Sequence, residues 1–93
     1  MRRVLTVLAG STLLSTAAIA EDVKLGIIFG FTGPIESLTQ PMAAAAELAM
    51  KEATESGIFL GGSTVSSVRG DSTCIDSAAA VSAAERLVTS DKV

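Results

Sequence analysis

Histidine, tryptophan and tyrosine are missing from this chain of 93 residues, and it has one cysteine, Cys74. Each absence removes a chemistry. Without histidine, neither a Ser-His-Asp triad nor a Cys-His pair can be assembled from this chain. One cysteine cannot make a zinc site of the usual kind. Three phenylalanines are the only aromatics, so the core must be built from Ala, Val, Ile and Leu, which bury little area per residue. No basic patch is present either: seven Lys and Arg stand against ten Asp and Glu, for a net charge of −3. An acidic, aromatic-poor chain of this kind excludes nucleic acid as the expected partner and argues against docking on an anionic membrane. Gly26, Gly30 and Gly33 match neither G-x-G-x-x-G nor a P-loop, so no dinucleotide or phosphate cradle is expected, and no cofactor.

What is present begins with an export pattern. Met1-Arg2-Arg3 is a short basic segment, and Val4 to Leu14 is an apolar run of 11 residues. Ser15 to Ala20 is small and polar and ends in Ala18-Ile19-Ala20, the A-x-A pattern that a signal peptidase reads. The expectation is a signal peptide over 1–20, cleaved between Ala20 and Glu21. An uncleaved anchor is the rival, but a membrane span needs about 20 apolar residues. The leader has no cysteine for lipid attachment, and Arg2-Arg3 lacks the flanks of a twin-arginine signal. The remaining segment, 21–93, is then expected to be soluble and outside the cytoplasm. Removing 20 of the 93 residues leaves 73, and losing Arg2 and Arg3 leaves a charge of −5. That is close to the lower limit for a self-sufficient core. Asp91-Lys92-Val93 reads as the start of another element, so the expectation is the N-terminal part of something larger.

Within 21–93 the pattern is β-α-β-α, with the start of a further strand at Lys92-Val93. Val23 to Phe29 is an almost continuous apolar run with Lys24 at its entrance, as in a strand covered on both faces of a parallel sheet. Gly30-Phe31-Thr32-Gly33-Pro34 and a polar run follow. In open α/β sheets ligands collect at the carboxyl ends of strands, so the loop Gly30–Thr39 is the first candidate site. The spacing predicts a helix from Thr39 as N-cap, with Pro41 in its first turn, to Gly57 as C-cap. Its expected buried stripe is Met42, Ala45, Ala46, Ala49, Met50 and Ala53, with Glu47, Lys51 and Glu55 paired on the outer face. Ile58-Phe59-Leu60 reads as a turn tucked under the sheet edge. Thr64 to Arg69 is a second, weaker strand. Asp76 caps a helix over Ser77 to Ser90, with Ala80, Val81, Ala84, Leu87 and Val88 expected to be buried. The fold class is therefore α/β: helices on the faces of a parallel sheet, a three-layer arrangement with right-handed crossovers.

Two features could carry chemistry. Asp71 and Asp76 flank a loop; a strand end and a helix cap explain them better than a catalytic pair. Cys74 has three readings: a buried thiol, a reactive thiol, or half of a disulfide. A leftover cysteine in an exported protein most often has a partner, here outside these residues.

Glu21-Asp22-Val23-Lys24-Leu25-Gly26-Ile27, Thr32-Gly33-Pro34, Ala46-Glu47-Leu48-Ala49 and Gly70-Asp71-Ser72-Thr73-Cys74-Ile75-Asp76 occur in this order. In order and spacing they resemble the start of the leucine/branched-chain amino-acid-binding proteins. These are periplasmic substrate-binding components of ABC importers. The resemblance covers all of 21–93 but only the beginning of a full family member. It implies the first lobe of a type 1 periplasmic-binding fold, truncated. Such a protein has no catalytic activity: two lobes close on a small ligand (an amino acid, an amide or a similar solute) and deliver it to a permease in the inner membrane. Ser37 and Leu38 stand at positions that border the ligand in the family. Many amino-acid binders have an aromatic residue where Leu38 stands, so a leucine-type ligand is not implied. The family cysteine at the Cys74 position commonly pairs with one just after the third strand. Ser77 replaces the usual proline of the family's acidic D-x-x-C-D-P stretch. The alternatives are a small exported α/β enzyme or redox protein using Cys74, against which the absence of a C-x-x-C pair weighs, and a small structural protein.

Overall fold

A computed structural model describes residues 19–93. The leader assigned to 1–20 lies outside these residues, apart from Ile19 and Ala20. Four main elements follow in order: β1 (Asp22–Phe29), α1 (Glu36–Glu55), β2 (Thr64–Asp71) and α2 (Ser77–Thr89), with a single 3-10 turn at Phe59–Gly61. The chain is α/β. β1 and β2 pair in parallel along their whole length, from Asp22 opposite Thr64 to Phe29 opposite Asp71. Glu21, on the far side of the expected cleavage point, already belongs to this frame. Its amide donates to Ser63 Oγ at 3.1 Å, and its carbonyl accepts from Thr64 N–H.

The two helices cover opposite faces. In β2, Arg69 points to α1, where its guanidinium makes two hydrogen bonds to the Glu47 carboxylate at 2.6 and 2.8 Å and one to Gln40. The next residue, Gly70, faces α2. A Cβ at Gly70 would lie 2.9 Å from Leu87 Cδ1, and one at Gly26 would lie 3.0 Å from the same atom. Two glycines, one on each strand, thus form the floor on which Leu87 sits, only 2 % exposed. Ile27, Ala43, Ala83 and Leu87 make up the buried core among the described residues. Four side chains, two of them alanine, are a thin core for an α/β unit, as the shortage of aromatics implies.

Several expectations need correction. α1 begins at Glu36, not after Thr39, so Pro41 lies inside the helix. Ile35 is the residue before it and offers no side-chain cap. Thr39 is instead a buried anchor, 3 % exposed, whose hydroxyl donates to the Gly30 carbonyl at 2.7 Å. That bond draws the helix onto β1 and rotates its buried line to Thr39 and Ala43. Met42, Ala45 and Ala49, expected to be buried, are exposed. On α2 the buried residues are Ala83 and Leu87, while Val81 (55 %) and Val88 (62 %) are exposed. Ile58 and Leu60 do not tuck under the sheet; both are largely exposed, and Leu60 holds a φ of 41°. Ser56 ends α1, and Gly57 takes the left-handed conformation after it, with φ 71°. The Asp76 cap stands as expected: its carboxylate accepts from Ala78 N–H at 2.8 Å.

Candidate functional site

The carboxyl ends of β1 and β2 lie side by side, and the loops that leave them, residues 30–35 and 72–76, form one surface. Their packing is close. A Cβ at Gly30 would lie 3.0 Å from Cys74 Cβ and 3.1 Å from its sulfur. One at Gly33, whose φ is 96°, would lie 3.2 Å from the Thr73 carbonyl. Both glycines are therefore required by contact with the other loop, and Gly33 also by its backbone. Ser72 N–H continues the sheet ladder by donating to the Phe29 carbonyl at 2.8 Å.

Asp71 binds the two loops together. One carboxylate oxygen accepts from Phe31 N–H at 2.9 Å, Thr32 N–H at 3.3 Å and Thr73 N–H at 2.9 Å. The other accepts from the Thr32 hydroxyl at 2.5 Å. The Thr32 hydroxyl above all, then the backbone donors, hold the Asp71 carboxyl below its ordinary range. Thr73 and Cys74 both have left-handed backbones, φ 56° and 62°, a conformation that β-branched and bulky residues resist. Thr73 Oγ1 is buried and has no hydrogen-bond partner among the described residues.

Each residue singled out in the sequence has a definite place. Ser37 and Leu38 belong to the first turn of α1 and not to the loop; both are exposed, Leu38 by 64 %. Pro41 has no N–H, so the Ser37 carbonyl cannot receive the usual helical bond from residue 41 and is left as an acceptor near the loop. Cys74 is a free, exposed thiol with Ser72 Oγ 3.8 Å from its sulfur. It lines an open depression of about 380 Å³ together with Ser72, Ile75, Asp76, Ser77 and Ala80. Ser37 and Leu38 do not line that depression, so the structure brings Cys74 and Gly30 together but keeps Ser37 and Leu38 on a neighbouring patch. Arg69 adds a polar post beside the first loop: its guanidinium lies over the Phe31 ring, 5.0 Å from the centroid. Sequence reasoning missed Arg69 and the clamp at Asp71. The signal for the clamp was available in register, since the last residue of β2 lies opposite the last residue of β1, next to a loop with donors to offer.

Among the described residues no cluster of three His, Cys, Asp or Glu side chains could hold a metal ion, and no helix is long and apolar enough to cross a membrane. The class defined here is an α/β unit with a joined, polar-edged wall at its strand ends. No family, no curated protein and no solved structure matches the chain in comparisons with known proteins.

Proposed function

We propose that this chain supplies the first part of lobe one of an exported solute-binding protein of the type 1 periplasmic-binding fold. That protein would serve an ABC importer of amino acids or related small polar solutes from the periplasm and would catalyse nothing. The surface formed by residues 30–35 and 72–76, with Ser37 and Leu38 on the patch next to it, is one wall of the ligand cleft. Export by the leader, with cleavage after Ala20, puts the wall where such a solute is met.

One observation carries the reading: the outer edge of β1 is unpaired among the described residues, and each helix leaves an apolar flank exposed. Successive residues step about 100° around a helix. On α1 the polar flank, Gln40 and Glu47, reaches Arg69 of β2, and the opposite flank presents exposed Met42, Ala45 and Ala49. On α2 the polar flank reaches β2 as well, through an Arg86 guanidinium donating to the Arg69 carbonyl at 2.9 Å. Its opposite flank presents Val81 and Val88. Both apolar flanks therefore lie on the side of their helix away from its polar contacts with β2, without a partner among the described residues. The edge of β1 away from β2 is unpaired among the described residues. Thr64 N–H bonds to Glu21 and Ser72 N–H to Phe29, so the odd-numbered residues of β1 face β2. Asp22, Lys24, Gly26 and Ile28 then turn their N–H and C=O groups outward. A right-handed crossover through α2, on the opposite face from α1, leads back past β1 to this same edge. Val93 already lies under it: its side chain would be 3.5 Å from a Cβ at Gly26, and Lys24 Nζ donates to the Asp91 carbonyl at 3.1 Å. A third parallel strand there makes β1 an interior strand, as the near-continuous apolar run of Val23 to Phe29 anticipates. The loop after β1 then stands mid-sheet, where cleft walls form.

A cleft needs two walls, so this polypeptide alone should bind no solute with useful affinity. Calorimetry of the 73-residue product against amino acids, amides and urea checks this, and tight binding would contradict it. The wider reading is tested by the coding sequence beyond codon 93. An open frame with an apolar strand and a cysteine soon after it, the expected partner of Cys74, supports the proposal. A stop codon without neighbouring permease or ATPase genes overturns it.

A further inference from the structure

We infer that Asp71 is the positioning residue of the wall: it makes the β1–α1 and β2–α2 loops move as one body. The inference rests on the solute-binding reading only in calling this surface a ligand wall. Three of its four bonds go to the first loop, at Phe31 and Thr32, and one goes to the second, at Thr73. No other side chain of the described residues bridges the two loops with this many hydrogen bonds. The bond to Thr73 N–H fixes the residue that opens the strained left-handed pair, and that pair sets Cys74 against Gly30. Releasing the carboxylate therefore frees both loops at once: the first loses its anchor, and the second loses the bond that holds its strained backbone.

The charged groups around the clamp are already engaged. Arg69, two residues earlier in β2, is held by Glu47 and Gln40 of α1. Arg86 of α2, which lines a shallow depression with Asp71, is paired with Asp91 and the Arg69 carbonyl. Asp76 is occupied in capping α2. None of them competes for the Asp71 carboxylate, so its partners are the loop donors alone.

The test is backbone amide exchange and pH titration of the whole chain by nuclear magnetic resonance, with Asp71→Asn and Thr32→Val as variants. In the parent chain the amide resonances of Phe31, Thr32 and Thr73 should follow one common titration. In Thr32→Val, which touches only the first loop, exchange at Thr73 on the second loop should still rise by about tenfold, while Ile27 and Val68 in the ladder stay unchanged. In Asp71→Asn all three loop amides should accelerate. Separate titrations of the three amides, or a Thr32→Val effect confined to the first loop, would overturn the inference. If Asp71→Asn fails to fold, Thr32→Val still decides it. No solute enters the readout, so the clamp and the transport reading fail independently.

Discussion

Leu87 offers the sharpest test of how α2 is seated, because its position and its neighbours are both defined. Its side chain is 2 % exposed, and Cδ1 lies 3.0 and 2.9 Å from where Cβ atoms at Gly26 and Gly70 would be. Replacing Leu87 by Ala removes a buried isopropyl group and should cost about 2–5 kcal/mol. The gentler Leu87→Val should cost about 1 kcal/mol. Gly70→Ala adds a methyl 2.9 Å from Leu87 Cδ1, 3.4 Å from Ala83 Cβ and 3.5 Å from Ile28 Cγ1. Leu87 is almost fully buried, so its tip has little free space to yield into, and this overpacking should cost about 1–3 kcal/mol. In the Leu87→Ala background the same methyl enters vacated space, and its cost should vanish. The double variant should thus be more stable than the sum of the singles predicts, by about 1–3 kcal/mol. The chain has no Trp or Tyr to report by fluorescence, so the assay is urea unfolding followed by far-ultraviolet circular dichroism. A domain of this size has only about 4–10 kcal/mol in total, so the Val arm keeps every variant measurable. Additivity of the two substitutions to within about 0.5 kcal/mol would refute the seating of Leu87 on the glycine floor.

Other expectations concern the elements that place the wall. Thr39→Val keeps the shape but leaves the buried Gly30 carbonyl without its 2.7 Å bond, so urea unfolding should show a loss of about 1–2 kcal/mol. Leu60 is 66 % exposed with a φ of 41°, so Leu60→Gly relieves strain at the expense of backbone entropy and should raise stability by about 0.5–1 kcal/mol in the same assay. Acid should weaken the fold in a defined direction. Asp71, through Thr32 and its backbone donors, and Glu47, through Arg69, both have carboxyls held below their ordinary values of 3.8 and 4.5. Their contribution is present above those values and is lost as pH falls through the lowered ones. Thermal midpoints should therefore drop below about pH 4, and the drop should be smaller in Asp71→Asn.

Much of the framework was legible because period and punctuation agree. The run Val23 to Phe29 differs from β1 by one residue at its start, and Asp76 followed by Ser77 marks the start of α2 without error. The start of α1 was not legible, because Pro41 mimics a first-turn proline; the helix instead begins five residues earlier and tolerates it. The buried stripes were misplaced for a different reason. Met42, Ala45, Ala49, Val81 and Val88 are apolar at helical spacing yet exposed, because Thr39 and Ala43 on α1 and Ala83 and Leu87 on α2 turn other lines of each helix to the two-stranded sheet. At the site, Gly30 and Gly33 stood out from residue type alone. The bonds of Asp71 did not, since they depend on two loops meeting across about 40 residues of sequence.

The central claim is that this wall belongs to a solute-binding protein feeding an importer. Uptake of labelled amino acids, amides and urea at low external concentration, by cells carrying the gene and by cells from which it has been deleted, tests that claim most directly. The account predicts that deletion abolishes high-affinity uptake of one solute class and that restoring the gene restores it. Unchanged uptake across the whole panel would contradict it.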